Sequence, residues 1–285
     1  MQIIILFILL LYLLLILRYY IGWIKNSTTG VSQLTPSVSI IIALRNEQEQ
    51  VIHLLSELKK QVYPIDKLEF ILVNDHSTDS TLELLGNSVI ANLRVLNMPD
   101  GMFGKKSAIA FAMKEAKGDV ILASDADCSF SPLWAHTMAA YFTNKNIKLV
   151  SGPVSYHKQK GIFLGLQTLE FISLIGSGAG AIGVENAIFC NGANMAYRKA
   201  DFLELNNFEN DDAVSGDDVF LLHSVKEKYK DAIVFAKDEN AIVLTSAVQS
   251  TKGFINQRKR WTAKTSGYKD FASLYASFLV LFTNL

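Results

Sequence analysis

Two carboxylates, Asp125 and Asp127, close the stretch 120–129, which reads Val-Ile-Leu-Ala-Ser-Asp-Ala-Asp-Cys-Ser. The apolar run before them is too short for a helix and reads as a buried strand that delivers acid to its C-terminal end. In an open parallel sheet, ligands bind beyond that end of the strands. Carboxylates at i and i+2 in a turning chain converge on one hard cation, and Mg²⁺ or Mn²⁺ takes one or two carboxylates together with phosphate oxygens. The same residues also suit a solvated turn, so the surrounding elements must decide.

Further clusters carry chemistry of the same kind. Asp75 lies in Asn74-Asp75-His76-Ser77-Thr78-Asp79, where a carboxylate can accept from the N–H of a nucleobase. Ser77, Thr78 and Asp79 are helix-capping types, and Asp79 is assigned to the cap. Lys105 and Lys106 open a helix after Gly101 and Gly104, a flexible approach that brings an ammonium or backbone N–H groups to a phosphate. Cations at a helix N-terminus oppose its dipole, which favours a ligand reason for them. Asp217 and Asp218 stand together at the start of another helix after Ser215-Gly216, where they also suit helix caps. Gln257-Arg258-Lys259-Arg260-Trp261 sets cations beside an indole, for a ligand or for lipid headgroups. Asn191-Gly192-Ala193-Asn194 offers two amides on a bend, for sugar hydroxyls, for a phosphate, or simply as a turn. The five histidines have no pairwise ligand spacing and are read as surface or packing residues.

The elements that position these groups alternate. Residues 38–43 read as a strand. Residues 47–61 follow as a helix with its stripe at Val51, Leu55, Leu58 and Val62. Strands at 69–73 and 94–96 follow, then a helix at 105–117 striped by Ala108, Ile109, Ala112 and Ala116, then the strand ending at Asp125. This alternation is that of a doubly wound α/β sheet, and it gathers Asp75 and Asp125 on one edge. Past Asp127 the alternation breaks. Residues 148–155 and 187–197 read as strands. Residues 162–184 read as an amphipathic helix at a membrane interface, since a crossing there would separate Asp125 from Asp217 and Asp218.

Lysine and arginine number 27 and aspartate and glutamate 27, so no global charge points to nucleic acid. Half the residues are hydrophobic, enough for one large domain. Cys128 and Cys190 lie far apart without metal-ligand spacing and read as small, partly buried residues in a reducing compartment. Residues 1–24 carry Arg18 as their only charge and match a membrane anchor of 1–25, followed by a polar linker at 26–37. Arg18 and Lys25 at the far end place the following domain in the cytoplasm. The expected organisation is a domain at 38–264, with a donor half at 38–130 and an acceptor half at 131–264. Residues 271–285 read as the start of a possible second span.

Taken in order, Arg45-Asn46-Glu47, Asp75, Asp125-Ala126-Asp127, Gly216-Asp217-Asp218 and Gln257-Arg258-Lys259-Arg260-Trp261 resemble family 2 glycosyltransferases of the GT-A fold. The branch resembled is the membrane-associated one that includes cellulose, chitin and hyaluronan synthases and ceramide glucosyltransferase. The resemblance implies a Rossmann-like domain that moves a sugar from a nucleotide-diphosphate sugar, expected to be UDP-linked, to a glycan or lipid acceptor with Mg²⁺ or Mn²⁺. It implies that Asn46, Glu47, Asp75, Asp125 and one of Lys105 and Lys106 serve the donor, with Asp75 at the base. Asp125 and Asp127 would face the cation, and Asp218 would be the general base. Gln257, Arg260 and Trp261 would close over the diphosphate and the acceptor end. One base and no second nucleophile imply a single displacement with inversion. Processive members carry several membrane helices after Gln-x-x-Arg-Trp, whereas residues 271–285 give only the start of one. Transfer of a single sugar to a lipid or lipid-linked acceptor, or a shortened form of a longer enzyme, is therefore expected. The rival readings are an inactive nucleotide-sugar-binding subunit and a receiver-like regulatory domain, and the latter accounts for neither Asp218 nor the Trp261 cluster.

Overall fold

The structure, a computed structural model, describes residues 2–27, 35–205, 217–265 and 267–284. In chain order its elements begin with α1 (Gln2–Lys25), β1 (Val38–Leu44), α2 (Gln48–Lys59), β2 (Leu68–Asn74), α3 (Thr81–Gly86), β3 (Leu93–Asn97), α4 (Gly104–Glu115) and β4 (Val120–Ser124). They continue with β5 (Ser129–Phe130), α5 (Trp134–Ala140), β6 (Leu149–Ser151), β7 (Val154–Tyr156), α6 (Ile162–Gly183), β8 (Met195–Arg198) and α7 (Lys199–Leu205). The last are α8 (Asp217–Lys228), β9 (Ile233–Phe235), β10 (Val243–Thr245), α9 (Thr251–Thr265) and α10 (Phe271–Thr283).

A seven-stranded sheet runs β3-β2-β1-β4-β8-β6-β9. Its first four strands are parallel, and β8 is antiparallel to both of its neighbours. The central strands are apolar along their length because helices cover both faces. Ile40, Ile42, Leu72 and Leu122 meet Val51, Leu54 and Leu58 of α2 on one face. Ile41, Ile71, Val73 and Ile121 meet Ala108, Ile109, Ala112 and Met113 of α4 on the other. Strand alternation of period two divides these side chains between the layers. Val62, expected on the α2 stripe, is exposed, because the helix ends at Lys59 and the Val62 N–H turns to the Pro132 carbonyl.

The second half differs from the sequence reading in three places. The strand expected at 148–155 divides at Gly152-Pro153 into β6, in the large sheet, and β7, in a small sheet ordered β5-β10-β7. Proline has no ladder donor, and the Gly152 N–H turns aside to the Asn194 carbonyl at 2.8 Å. The strand expected at 187–197 is mostly loop, and only Met195–Arg198 pairs. Asn194, fully buried, fastens that loop: its side chain accepts from the Trp134 indole (3.0 Å) and donates to the Pro153 and Ala241 carbonyls (2.8 and 2.7 Å).

The third difference is α6, which lacks the polar outer face of an amphipathic helix. One side buries Phe171, Ala179 and Ile182 in the cores, while Ile162, Leu166, Leu169 and Ile172 on the other are exposed. By length and composition, α1 and α6 are each apolar enough to cross a membrane. They pack together through glycine: a Cβ built on Gly22 would strike the Gly180 carbonyl, and one on Gly183 would strike that of Gly22. Small residues let two helix backbones approach so closely. The end of α1 is pinned to the sheet by the Lys237 ammonium, which donates to the Trp23 carbonyl (2.9 Å) and lies 4.7 Å from the centre of its ring. On the stripe of α1 that carries Gly22, Leu15 and Tyr19 pack with Ala181 of α6 and with Ala276 and Leu279 of α10.

Candidate functional site

Strand register determines where the acids fall. Leu44 pairs with Asn74, and Ile42 pairs with Ser124. Arg45, Asp75 and Asp125 therefore emerge side by side from one sheet edge. Asp75 is only 4% exposed and holds three loops together. Its Oδ2 accepts from the Gly104 N–H at 2.9 Å, its Oδ1 lies 3.1 Å from His76 Nδ1, and the Arg45 guanidinium stands 3.9 Å away. His76 and Asn46 both adopt positive φ, which turns the loops back toward the edge. Asn46 accepts from the Thr78 N–H at 2.8 Å, and the Asp79 carboxylate caps the first turn of α3 through the Thr81 N–H at 3.0 Å.

The Lys105 ammonium pairs with Asp125 and lies 3.5 Å from the Gly192 carbonyl, which places it at the paired acids. Asp127 accepts at Oδ2 from the Thr245 hydroxyl at 2.7 Å, from the end of β10. Ser129 lies between His53 (2.8 Å) and His157 (3.3 Å), so two histidines read as surface or packing residues fasten the loop that carries both acids. Glu47 faces the same loop. Burial, followed by the charges of Asp127, Asp125 and Asp79, raises its carboxyl above the ordinary range. An all-oxygen donor set with a surplus of negative charge suits a hard divalent cation. Among the described residues, no three acid, histidine or cysteine side chains are grouped to hold a metal by themselves. A cation here would complete its coordination with phosphate oxygens and water.

Asp218 approaches the edge from α8. Its Oδ2 accepts from the Gly192 N–H at 3.0 Å, and its carbonyl receives the Cys190 thiol at 3.3 Å. The loop from Cys190 to Asn194 thus joins Asp218 on one side to Lys105 on the other. Its amides serve as a structural turn: Asn191 Oδ1 accepts from the Ala193 N–H, and Asn194 is internal. Gly216 and the Asp217 side chain lie outside the described residues, as do residues 28–34 of the expected linker. Burial raises the Cys128 thiol, with the Asp125 and Asp127 charges adding to it, so it stays protonated and inert.

On α9 the cation held against the domain is Arg258, which pairs with Glu170 of α6 and lies between Phe254 and Trp261, 4.3 and 4.1 Å from their ring centres. Trp261 packs on Phe171 at 6.1 Å, and Gln257 accepts from Arg258 at 2.6 Å. Arg260 is on the exposed side of the helix. Sequence reasoning missed Thr245, the Gly192 N–H and Glu170. Each reaches its partner across a long stretch of chain, and no local pattern marks it.

The chain has relatives among known proteins. It is 26% identical over 238 residues to the poly-beta-1,6-N-acetyl-D-glucosamine synthase of Staphylococcus epidermidis, covering 80% of this chain and 54% of that one. It is 29% identical over 128 residues to glycosyltransferase AglE of Haloferax volcanii, covering 44% of this chain and 42% of that one. The chain thus spans about half the length of these relatives. Among solved structures, the mannosyltransferase PcManGT from Pyrobaculum calidifontis, in complex with GDP-Man and Mn²⁺, superposes over 99% of this chain and 80% of its own. The TM-score is 0.67 at 16% identity. S. aureus TarS 1–349 in complex with UDP-GlcNAc superposes over 87% of this chain and 71% of its own, with a TM-score of 0.55 at 17% identity. The fold is GT-A. Residues 39–205, more than half the chain, match the family described as Glycosyl transferase family 2, and the protein belongs to that family.

Proposed function

We propose that this protein is a membrane-anchored, inverting glycosyltransferase that moves a sugar from a nucleotide-diphosphate sugar to a hydroxyl of a glycan or lipid acceptor, with Mg²⁺ or Mn²⁺. The observation that carries this reading is the gathering of Asp75, Asp125, Asp127 and Asp218 at one sheet edge, from three separate parts of the chain. The bound donors of the solved neighbours, GDP-Man and UDP-GlcNAc, support a nucleotide sugar as substrate.

Each residue then has a task. Asp75, with Asn46 and the loop at His76, shapes the nucleotide end. Asp125 and Asp127 would hold the cation, which when bound would supply charge to neutralise the leaving diphosphate. The Lys105 ammonium lies beside them and adds positive charge for the phosphates. Asp218 takes the proton of the acceptor hydroxyl as that oxygen bonds to the sugar C1 and the bond from C1 to the diphosphate breaks. Attack opposite the leaving group inverts the anomeric centre. Gln257, Arg260 and Trp261 close over the diphosphate and acceptor end. The apolar helices α1 and α10, and the exposed apolar side of α6, face lipid, with the acids on the cytoplasmic side.

Transfer assays on the membrane-extracted protein, with a panel of nucleotide sugars and Mg²⁺ or Mn²⁺, test this reading. Asp218→Asn is expected to lower turnover by roughly 10²- to 10⁴-fold while donor affinity is kept. Donor binding without turnover in the wild type would instead favour the inactive binding subunit. A product of retained configuration would exclude single displacement.

A further inference from the structure

The inference concerns how Asp218 is placed, and it rests on the reading of Asp218 as the base. Helix α8 carries Phe220, His223 and Lys226 at intervals of three, on one face below Asp218. The segment that leads into α10 lies across this face. Tyr268 sets its ring edge-on to Phe220 and His223, at 5.9 and 5.3 Å. Asp270 pairs with Lys226 at 2.6 Å, and these side chains are only 15% and 21% exposed. The Ser273 hydroxyl lies 3.1 Å from His223 Nε2. Three of these groups also grip the loop that holds the Asp218 carboxylate: Lys226 donates to the Ala187 carbonyl (3.0 Å), and Ser273 and His223 both meet that of Ile188 (3.0 and 3.1 Å).

Two kinds of contact therefore hold α8. Leu221, Leu222 and Val225 bury it in the core, which fixes its depth but gives little direction. The charge-assisted bonds on the Phe220-His223-Lys226 face are directional and fix its rotation. That rotation determines where Asp218 points, because Lys226 is eight residues on, about 12 Å along a rigid helix. Burial, and then the charge of Asp218, raises the Tyr268 hydroxyl.

We propose that Asp270, acting through Lys226, is a positioning residue for Asp218, so that docking of α10 on α8 sets the aim of the base. In the full-length protein in detergent or native membrane, Asp270→Asn is expected to lower kcat at least tenfold while donor KM changes less than twofold. Lys226→Met is expected to do the same, and the double variant to be no worse than either alone. Asp270→Glu should recover most of kcat. Lys228→Met, on the same helix as Lys226, breaks only the exposed pair with Glu204 of α7 and should leave kcat unchanged. Amide hydrogen exchange in the first turn of α8 should speed up in Asp270→Asn, with the core strands still protected.

Asp218-dependent turnover in the wild type that Asp270→Asn leaves unaltered would overturn the inference and leave the proposed function standing. So would a loss of kcat that merely follows loss of folded protein and is additive with Lys226→Met. A wild type without turnover would refute the proposed function, and the exchange of α8 would then decide: unchanged protection in Asp270→Asn overturns the clamp as well.

Discussion

Asp127 is aimed by Thr245, a residue 118 positions away whose hydroxyl donates to its Oδ2. A carboxylate that has lost its outer hydrogen bond binds a cation less well, typically by 10- to 100-fold. Thr245→Val is therefore expected to raise the Mn²⁺ or Mg²⁺ concentration needed for half-maximal transfer by roughly tenfold, and Asp127→Ala to abolish metal-dependent turnover. Titration of activity with each cation after chelation checks both. Asn194 is a residue of the opposite kind, buried and bonded on every side. Asn194→Ala removes the partner of the Trp134 indole N–H and the side-chain donor to the Ala241 carbonyl, while the Pro153 carbonyl keeps the Val243 N–H, and it should cost about 2–4 kcal/mol of stability, measured by denaturant unfolding. Asp125 and Asp127 could be read from the sequence because a buried strand ending in two acids is a local pattern. Thr245 and the Gly192 N–H could not, because their partnerships form only when β10 and the loop after α6 reach the sheet edge.

The parallel half of the sheet was legible element by element, since strands buried on both faces and helices of regular stripe leave periods of 2 and 3.6 in the sequence. The second half was not. Its strands β5, β6, β7, β9 and β10 are two or three residues long, too short for any period to show. The division at Gly152-Pro153 depends on Asn194, more than forty residues on. At this scale the joint of α1 and α6 gives a sharp expectation. Gly180→Leu must drive a side chain into the Tyr19 carbonyl and separate the helices, so extraction in mild detergent should yield protein with α1 exposed to added protease. The clamp between α8 and α10 gives a pH dependence. Burial opposes the charge of Asp270, but the Lys226 ammonium and the Ser273 N–H and hydroxyl outweigh it and hold the carboxyl below its ordinary 3.8. A depressed acid contributes stability that is present above its unfolded value and is lost as pH falls through the native one. As pH falls from about 5 to below 3.8, the wild type should thus lose more stability than Asp270→Asn, as followed by unfolding at a series of pH values.

For the whole molecule, the two halves of the chain build one sheet, with β8 of the second half antiparallel to β4 of the first, and the acids collect where those halves meet. Residues 26–37 would ordinarily be thought of as a tether whose length decides how far a catalytic domain can roam from its anchor. The crossing of Gly22 with Gly180 and Gly183, and the grip of Lys237 on Trp23, change that relation. In the membrane-anchored enzyme proposed above, helix α1 would act as a strut, and the sheet edge would stand at a set height and tilt over the bilayer. Reach toward an acceptor is then a fixed dimension of the protein. Under the proposed function, acceptors whose hydroxyl lies at that height would be served, and those held nearer or farther would not, however long the connecting chain is made.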